Sequence, residues 1–339
     1  MPMLDVFKAD SFNTMSLTTA MNKLPYKPAR LGSMNLFKKS GIATTTVAIE
    51  EQQGKLMLLP SNPRGVFNNM YGNVIRKTRA FNITNLPVSA KVYADDVQNI
   101  RSFGSETEIQ TVAELVNDKL SAMRQSVEYT HEFHRIGGIK GILYDADGST
   151  VIYNWFTEFG ITPETDALNF TTDTIAAVKK LASRIIRKIQ DNLGMTMYDH
   201  IHVMCGSTLF DNIIAATETK NAYDRPREGQ FLRDTQVRTS FEYGGITWEE
   251  YRGKVGTTPF IAVAEGYAFP VGADDVFSEV YAPAPFTETV NTKGKAVYAK
   301  QEPMQFGLGI DLLAISCPLI YCSRPSALVK ITGTTGAPV

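Results

Sequence analysis

The chain has 339 residues, 43% of them hydrophobic and 20% charged, with 34 Lys and Arg against 35 Asp and Glu. That length suits about two domains, and the composition excludes disorder, collagen and coiled coil. A formal net charge of −1 excludes a protein that coats nucleic acid over its whole surface. Cys205, Cys317 and Cys322 are too few and odd in number for a disulfide framework and indicate a reducing compartment. No run reaches the roughly 18 apolar residues of a membrane span, and Met1 to Phe7 lack the basic region and apolar core of a signal peptide. Charge is uneven, however: residues 1–105 hold 13 of the basic residues and 6 of the acidic ones, so the two parts are expected to meet surfaces of opposite sign.

In chain order, residues 1–40 are interrupted by Pro2, Pro25, Pro28 and Gly32 and read as an arm. The β-branched run Ile42 to Glu51, then Gln52-Gln53-Gly54 and the apolar run Leu56 to Leu59, predict a hairpin with Gly54 in its turn. Ser61 to Gly65, including Arg64, form a loop, and a β-prone segment Thr78 to Thr84 follows the basic cluster Arg76, Lys77 and Arg79. Segment 41–104 therefore reads as an extended β-hairpin excursion.

Ser105-Glu106-Thr107-Glu108 is a capping box. After it Ile109, Val112, Val116, Leu120, Met123 and Val127 recur at helical spacing, up to a stop expected at Gly137-Gly138. About 30 residues at 1.5 Å each make a rod of about 45 Å, whose apolar stripe needs a sheet or neighbouring chains to cover it. A second hairpin is expected around Asp145 to Ser149, and a helix through Val178, Leu181, Ile185 and Ile189. From His200 the pattern is α/β, with strands at 201–204, 239–243, 246–251 and 260–264 and a helix over 207–217. Lys295 to Lys330 alternates as strands do.

Four constellations invite chemistry. His131 and His134 are spaced i, i+3, one residue short of the zinc-protease spacing, and suit the C-terminal dipole of their helix. His200 and His202 share one side of a strand without an identifiable third ligand. Asp145-Ala146-Asp147-Gly148 starts like a calcium loop, but Phe156 stands where its last acidic ligand belongs. Cys205-Gly206-Ser207 sits at a strand-to-helix turn without the Gly-x-Ser-x-Gly elbow. The readings are no catalytic residue, no metal and no cofactor; the chain's irregular segments present surface, which suits assembly.

The order of parts resembles the major capsid protein of tailed phages, specifically the lambda-like major capsid protein E family. Thr287 to Gly294, with its Glu-Thr-Val-Asn-Thr core, and Ser316-Cys317-Pro318-Leu319-Ile320 followed by Arg324-Pro325 carry the resemblance. It implies an α+β phage major-capsid fold: N-terminal arm (1–40), extended β-hairpin loop (41–104), peripheral domain with a long spine helix (105–164), axial domain (165–310), and a return to the peripheral domain with a tail (311–339). It further implies a structural, non-enzymatic head protein, self-assembling into hexamers and pentamers of an icosahedral shell around double-stranded DNA. Its location would be the virion, after assembly in the host cytoplasm. Expected partners are copies of itself, a separate scaffolding protein, a portal, a decoration protein, and packaged DNA held by non-specific contact; no membrane is expected. The alternatives are a metal-dependent enzyme using His131, His134, Asp145 or Asp147, and another virion assembly protein. The hairpin around Gln52, Gln53 and Gly54 is expected at a subunit contact, and charge points to Arg64, Arg76, Lys77 and Arg79 of one subunit meeting Glu114, Asp118 and Glu128 on the long helix of the next.

Overall fold

The long helix spans Val112–Lys140, about 43 Å at 1.5 Å per residue. In this computed structural model, which describes residues 18, 30–53, 75–96, 112–169, 176–216, 219, 240–255 and 258–333, it joins two separate apolar cores. Its first half offers Val116, Leu120, Met123 and Val127, all buried at spacings of three and four. They pack on an antiparallel sheet ordered Tyr298–Pro303, Gly309–Ser316, Leu86–Tyr93, through Val92, Ala299, Ile310, Leu312 and Ala314. Its last turns place Ile136 and Ile139 in the larger core.

That larger core lies on a six-stranded sheet ordered Glu164–Leu168, Val329–Gly333, Glu265–Val271, His200–Cys205, Ile246–Glu250, Ser240–Tyr243. The helix Ala177–Leu193 covers it with Val178, Leu181, Ala182, Ile185 and Ile189, a stripe of period 3.6 with basic residues on other faces. A shorter helix, Ser207–Ala215, contributes Leu209, Phe210 and Ile213. A third, small sheet pairs Lys38–Gly41 in parallel with Phe277–Tyr281, which pairs antiparallel with Pro318–Cys322. From its side projects the ladder of Thr46–Gln53 with Ile75–Asn82. The base of that ladder is anchored by Val47 and Phe81 against Leu143, Trp155, Val280 and Leu319.

Several boundaries differ from the sequence expectation. The strand Thr46–Gln53 pairs with Ile75–Asn82, while the partner expected for it, Leu56 to Leu59, lies outside the described residues, as do Gly54, Arg64 and the capping box. The long helix runs through Gly137 and Gly138 and stops at Gly141, whose φ of +75° is left-handed. Gly138 is there for closeness: a Cβ would sit 2.9 Å from the ring of Phe37. The strand expected over 260–264 lies instead at Glu265–Val271, with Phe260 and Ile261 buried in the turn before it. Pro270 is tolerated because it lies past Ala268, where pairing with Val329–Gly333 ends. The second hairpin forms as expected between Ile142–Tyr144 and Val151–Asn154, but Trp155–Phe159 is helical, capped by the Asn154 side chain.

Candidate assembly surfaces and the network beneath them

The residues singled out for chemistry turn out to have structural surroundings. Asp147 Oδ1 accepts from the Ser149 and Thr150 amides, and Oδ2 from both hydroxyls, at 2.6 to 3.0 Å. These bonds hold its carboxyl well below the usual range and make the loop a self-contained turn. Cys205, Cys317 and Cys322 are buried free thiols, and burial pushes each pKa up, which keeps the nucleophilic thiolate scarce. Among the described residues no group of three His, Cys, Asp or Glu side chains gathers as metal ligands would, and no helix is long and apolar enough to cross a membrane.

His131 belongs to a buried network on the long helix. Ser316 Oγ donates to Ala296 O at 2.6 Å, so His131 Nε2, 2.9 Å from that hydroxyl, is left as the donor between them. Nδ1 then faces Glu128 at 3.8 Å and Glu279 at 3.9 Å. Burial lowers the His131 pKa to about 3, outweighing Glu279, and burial likewise lowers His134 to about 4; both are neutral at pH 7. One helical turn on, Arg135 is 1% exposed and donates to Glu279 through Nε at 3.1 Å and Nη2 at 2.8 Å, and to Glu132 at 3.4 Å. Burial would raise the Glu279 carboxyl, but Arg135 and the Tyr281 hydroxyl hold it below its ordinary value.

Glu132 in turn accepts the backbone amides of Leu31 at 2.7 Å and Gly32 at 3.1 Å, and the Tyr251 hydroxyl at 3.3 Å. It thereby fixes the short turn Arg30–Ser33 to the helix. Arg30 clamps the same turn to the six-stranded sheet through a two-bond pair with Glu249, Nε to Oε1 at 2.5 Å and Nη2 to Oε2 at 2.7 Å, and the same Oε2 lies 3.1 Å from His202 Nε2. Sequence reasoning missed this junction. Its signal was Glu132 and Arg135 at i, i+3 beside two histidines on the buried side of a helix, where ionisable groups need partners.

Of the residues expected at subunit contacts, Gln52 stands opposite Arg76 and Gln53 opposite Ile75 in the projecting ladder, with Lys77 opposite Glu51. Lys77 is exposed, whereas Arg79 is half-buried with its guanidinium 5.4 Å from the Phe159 ring. On the long helix Glu114 lies near the start and Asp118 is exposed. Glu128 is half-buried and already near Arg124 at 3.9 Å as well as His131.

The two C-terminal motifs form a chain crossing. Thr289 Oγ1 donates to Ala284 O at 2.5 Å, Thr292 Oγ1 to Thr289 O at 2.7 Å, and Gly294 N to Ile42 O at 2.8 Å. A Cβ on Gly294 would stand 2.1 Å from Tyr281 O, so only glycine lets these backbones meet. Pro318 then opens the strand paired with Phe277–Tyr281.

A family model for phage major capsid protein E matches residues 13–333. The major capsid protein of Salmonella phage Felix O1 is 25% identical, the match covering 97% of this chain and 98% of that protein; that of Pseudomonas phage KPP10 is 24% identical over 86% and 88%. Among solved structures, the capsid of Ralstonia phage GP4 is similar with a TM-score of 0.55 at 11% identity, covering 90% of this chain and 89% of that one. The mature capsid of bacteriophage PhiM1 gives 0.51 at 12% identity, over 92% and 89%. The fold is thus that of phage capsid subunits, α+β with a long helix joining two cores, and by its match over residues 13–333 the chain belongs to the phage major capsid protein E family.

Proposed function

We propose that this major capsid protein acts without catalysis, as the repeating subunit of an icosahedral head in which hexamers and pentamers close around double-stranded DNA. The match to the capsid family over residues 13–333 carries this reading. In it, residues 1–40 are the arm, 41–104 the extended loop, 105–164 and 311–339 the peripheral domain, and 165–310 the axial domain, with strands exchanged across these bounds: Val329–Gly333 pairs with Glu265–Val271, and Tyr298–Pro303 with Gly309–Ser316. Assembly proceeds in the host cytoplasm on a separate scaffolding protein, with a portal at one vertex and a decoration protein outside. The ladder residues Gln52, Gln53, Arg76, Lys77 and Arg79, with Gly54 and Arg64, cross the neighbour's long helix near Glu114, Asp118 and Glu128. Support for that contact is the ladder's projection from an anchored base and the exposure of Lys77 and Asp118. Each exposed pair contributes only about 0–1 kcal/mol, but repetition at every interface biases orientation. Negative-stain microscopy of the purified chain, alone and with its scaffold, tests the reading: closed shells or hexamers are expected, and a monomer under all conditions overturns it.

A further inference from the structure

Phe306 is 95% exposed at the turn joining Tyr298–Pro303 to Gly309–Ser316, and its φ of +62° is left-handed. A bulky residue there is an outlier, so neither solvation nor backbone preference accounts for phenylalanine. Beside it Leu308 is 60% and Tyr93 45% exposed, and Leu308 O accepts from Ala94 N at 3.0 Å, which brings the exposed Asp95 to the same tip. Glu302 is exposed on the adjoining strand. The tip is an apolar knob with an acidic surround.

At the other end of the same hairpin lies a groove of about 600 Å³, lined by Ile83, Pro283, Pro285, Phe286, Val290 and Cys317 among others. An apolar cavity of roughly 150 Å³ already holds a benzene ring, so this one takes a phenyl ring and a neighbouring side chain. Lys293 and Lys295 are exposed two and four residues beyond Asn291 of its lining, while the nearby Glu288 is engaged by Lys300 at 3.0 Å. The strand Gly309–Ser316 separates knob from groove floor, about 23 Å at roughly 3.3 Å per residue. The knob therefore does not reach the groove of its own chain.

We propose that the tip Met304 to Leu308 of one subunit seats Phe306 in the groove between Ile83 and Val290 of a second copy, with Asp95 and Glu302 facing Lys293 and Lys295. This rests on the shell-subunit reading. A head-to-tail contact of this kind uses two different patches on each copy, and repeats into a closed ring when its rotation closes.

The test mixes two full-length variants, Phe306→Cys and Val290→Cys, under assembly conditions and oxidises them. Both variants carry Cys317→Ser, because Cys317 lines the groove; Cys205 and Cys322 are fully buried and protonated and stay silent. Disulfide-linked dimers are expected in the mixture and not with either variant alone. Shells that form without such dimers, that link like variants only, or that link Val290→Cys to a scaffold or decoration protein, overturn the contact while leaving self-assembly intact. Wild-type chain that forms no shells removes the assembly reading itself. A second variant, Phe306→Gly, suits the positive φ, so its subunit should melt no lower than wild type. The concentration needed for shell formation should nevertheless rise about tenfold or more, as loss of one buried phenyl contact predicts. An unchanged concentration overturns the contact.

Discussion

Arg135→Met in the isolated subunit tests the buried junction most directly. Arg135 is the cation that offsets Glu279, itself 0% exposed, and it also faces Glu132. Removing one partner of a buried pair costs about 3–5 kcal/mol, because the other charge stays behind without compensation. Against a total stability of roughly 5–15 kcal/mol, that is a large fraction. The sign with pH follows from Glu279. In the wild type its pKa lies below the unfolded 4.5, so its stabilisation is present above pH 4.5 and is lost as pH falls through the folded value. Without Arg135, burial dominates and raises the carboxyl above 4.5, so the variant's deficit is largest at pH 7 and narrows as pH drops toward 4.5. Adding Glu279→Gln should recover part of the loss, with a coupling of about 0.5–3 kcal/mol. Urea unfolding followed by the fluorescence of Trp155 and Trp248, which lie in different cores, reads all of this. A deficit under about 1 kcal/mol, or one that does not change with pH, would refute the account of Arg135 as the necessary counterion.

Leu120→Ala should cost roughly 2–5 kcal/mol in the same assay and the exposed Lys119→Ala less than about 0.5, since only Leu120 enters the core beneath the three-stranded sheet. His131 is neutral in the fold with a pKa near 3 against 6.5 unfolded, so its contribution is complete above pH 6.5 and lost as pH falls toward 3. His131→Gln should therefore flatten the acid side of the wild-type stability profile between those values, measured by thermal melting. Reversing Arg76, Lys77 and Arg79 to Glu should leave the melting temperature within a few degrees and stop shell closure at low salt, with partial rescue by reversing Glu114, Asp118 and Glu128 to Lys; normal closure by electron microscopy would show that these surfaces are not partners.

What the sequence made readable was local. The long helix and the stripe on Ala177–Leu193 follow from apolar spacing, and the Asp147 turn from its Asp-Gly step, all within a few residues, although the helix runs four residues past Ile136 to Lys140. Pairing was harder, because Thr46–Gln53 alternates without stating its partner, and Ile75–Asn82, which pairs with it, lies more than twenty residues on in the sequence. Glycines at 137 and 138 punctuate a helix on paper, whereas here they admit Phe37 and Leu143 to its flank. Glu-Gly-Tyr-Ala-Phe-Pro-Val conceals a sheet strand because its Gly and Pro are admissible only in that neighbourhood. The junction of Glu132, Arg135 and Glu279 joins residues more than a hundred positions apart, which no single window displays.

The position of Val329–Gly333 inside the six-stranded sheet, between Glu164–Leu168 and Glu265–Val271, governs timing. A ribosome delivers both flanking strands long before it delivers the one that joins them, so the sheet stays open until residue 333 has emerged. Contacts of such sequence separation form slowly, and a prematurely terminated chain lacks an interior strand, not an edge one. Such a fragment presents two unmatched edges in place of a finished surface. Delivery of Val329–Gly333 thus becomes a condition for joining a lattice in which one defective tile would spoil its neighbours.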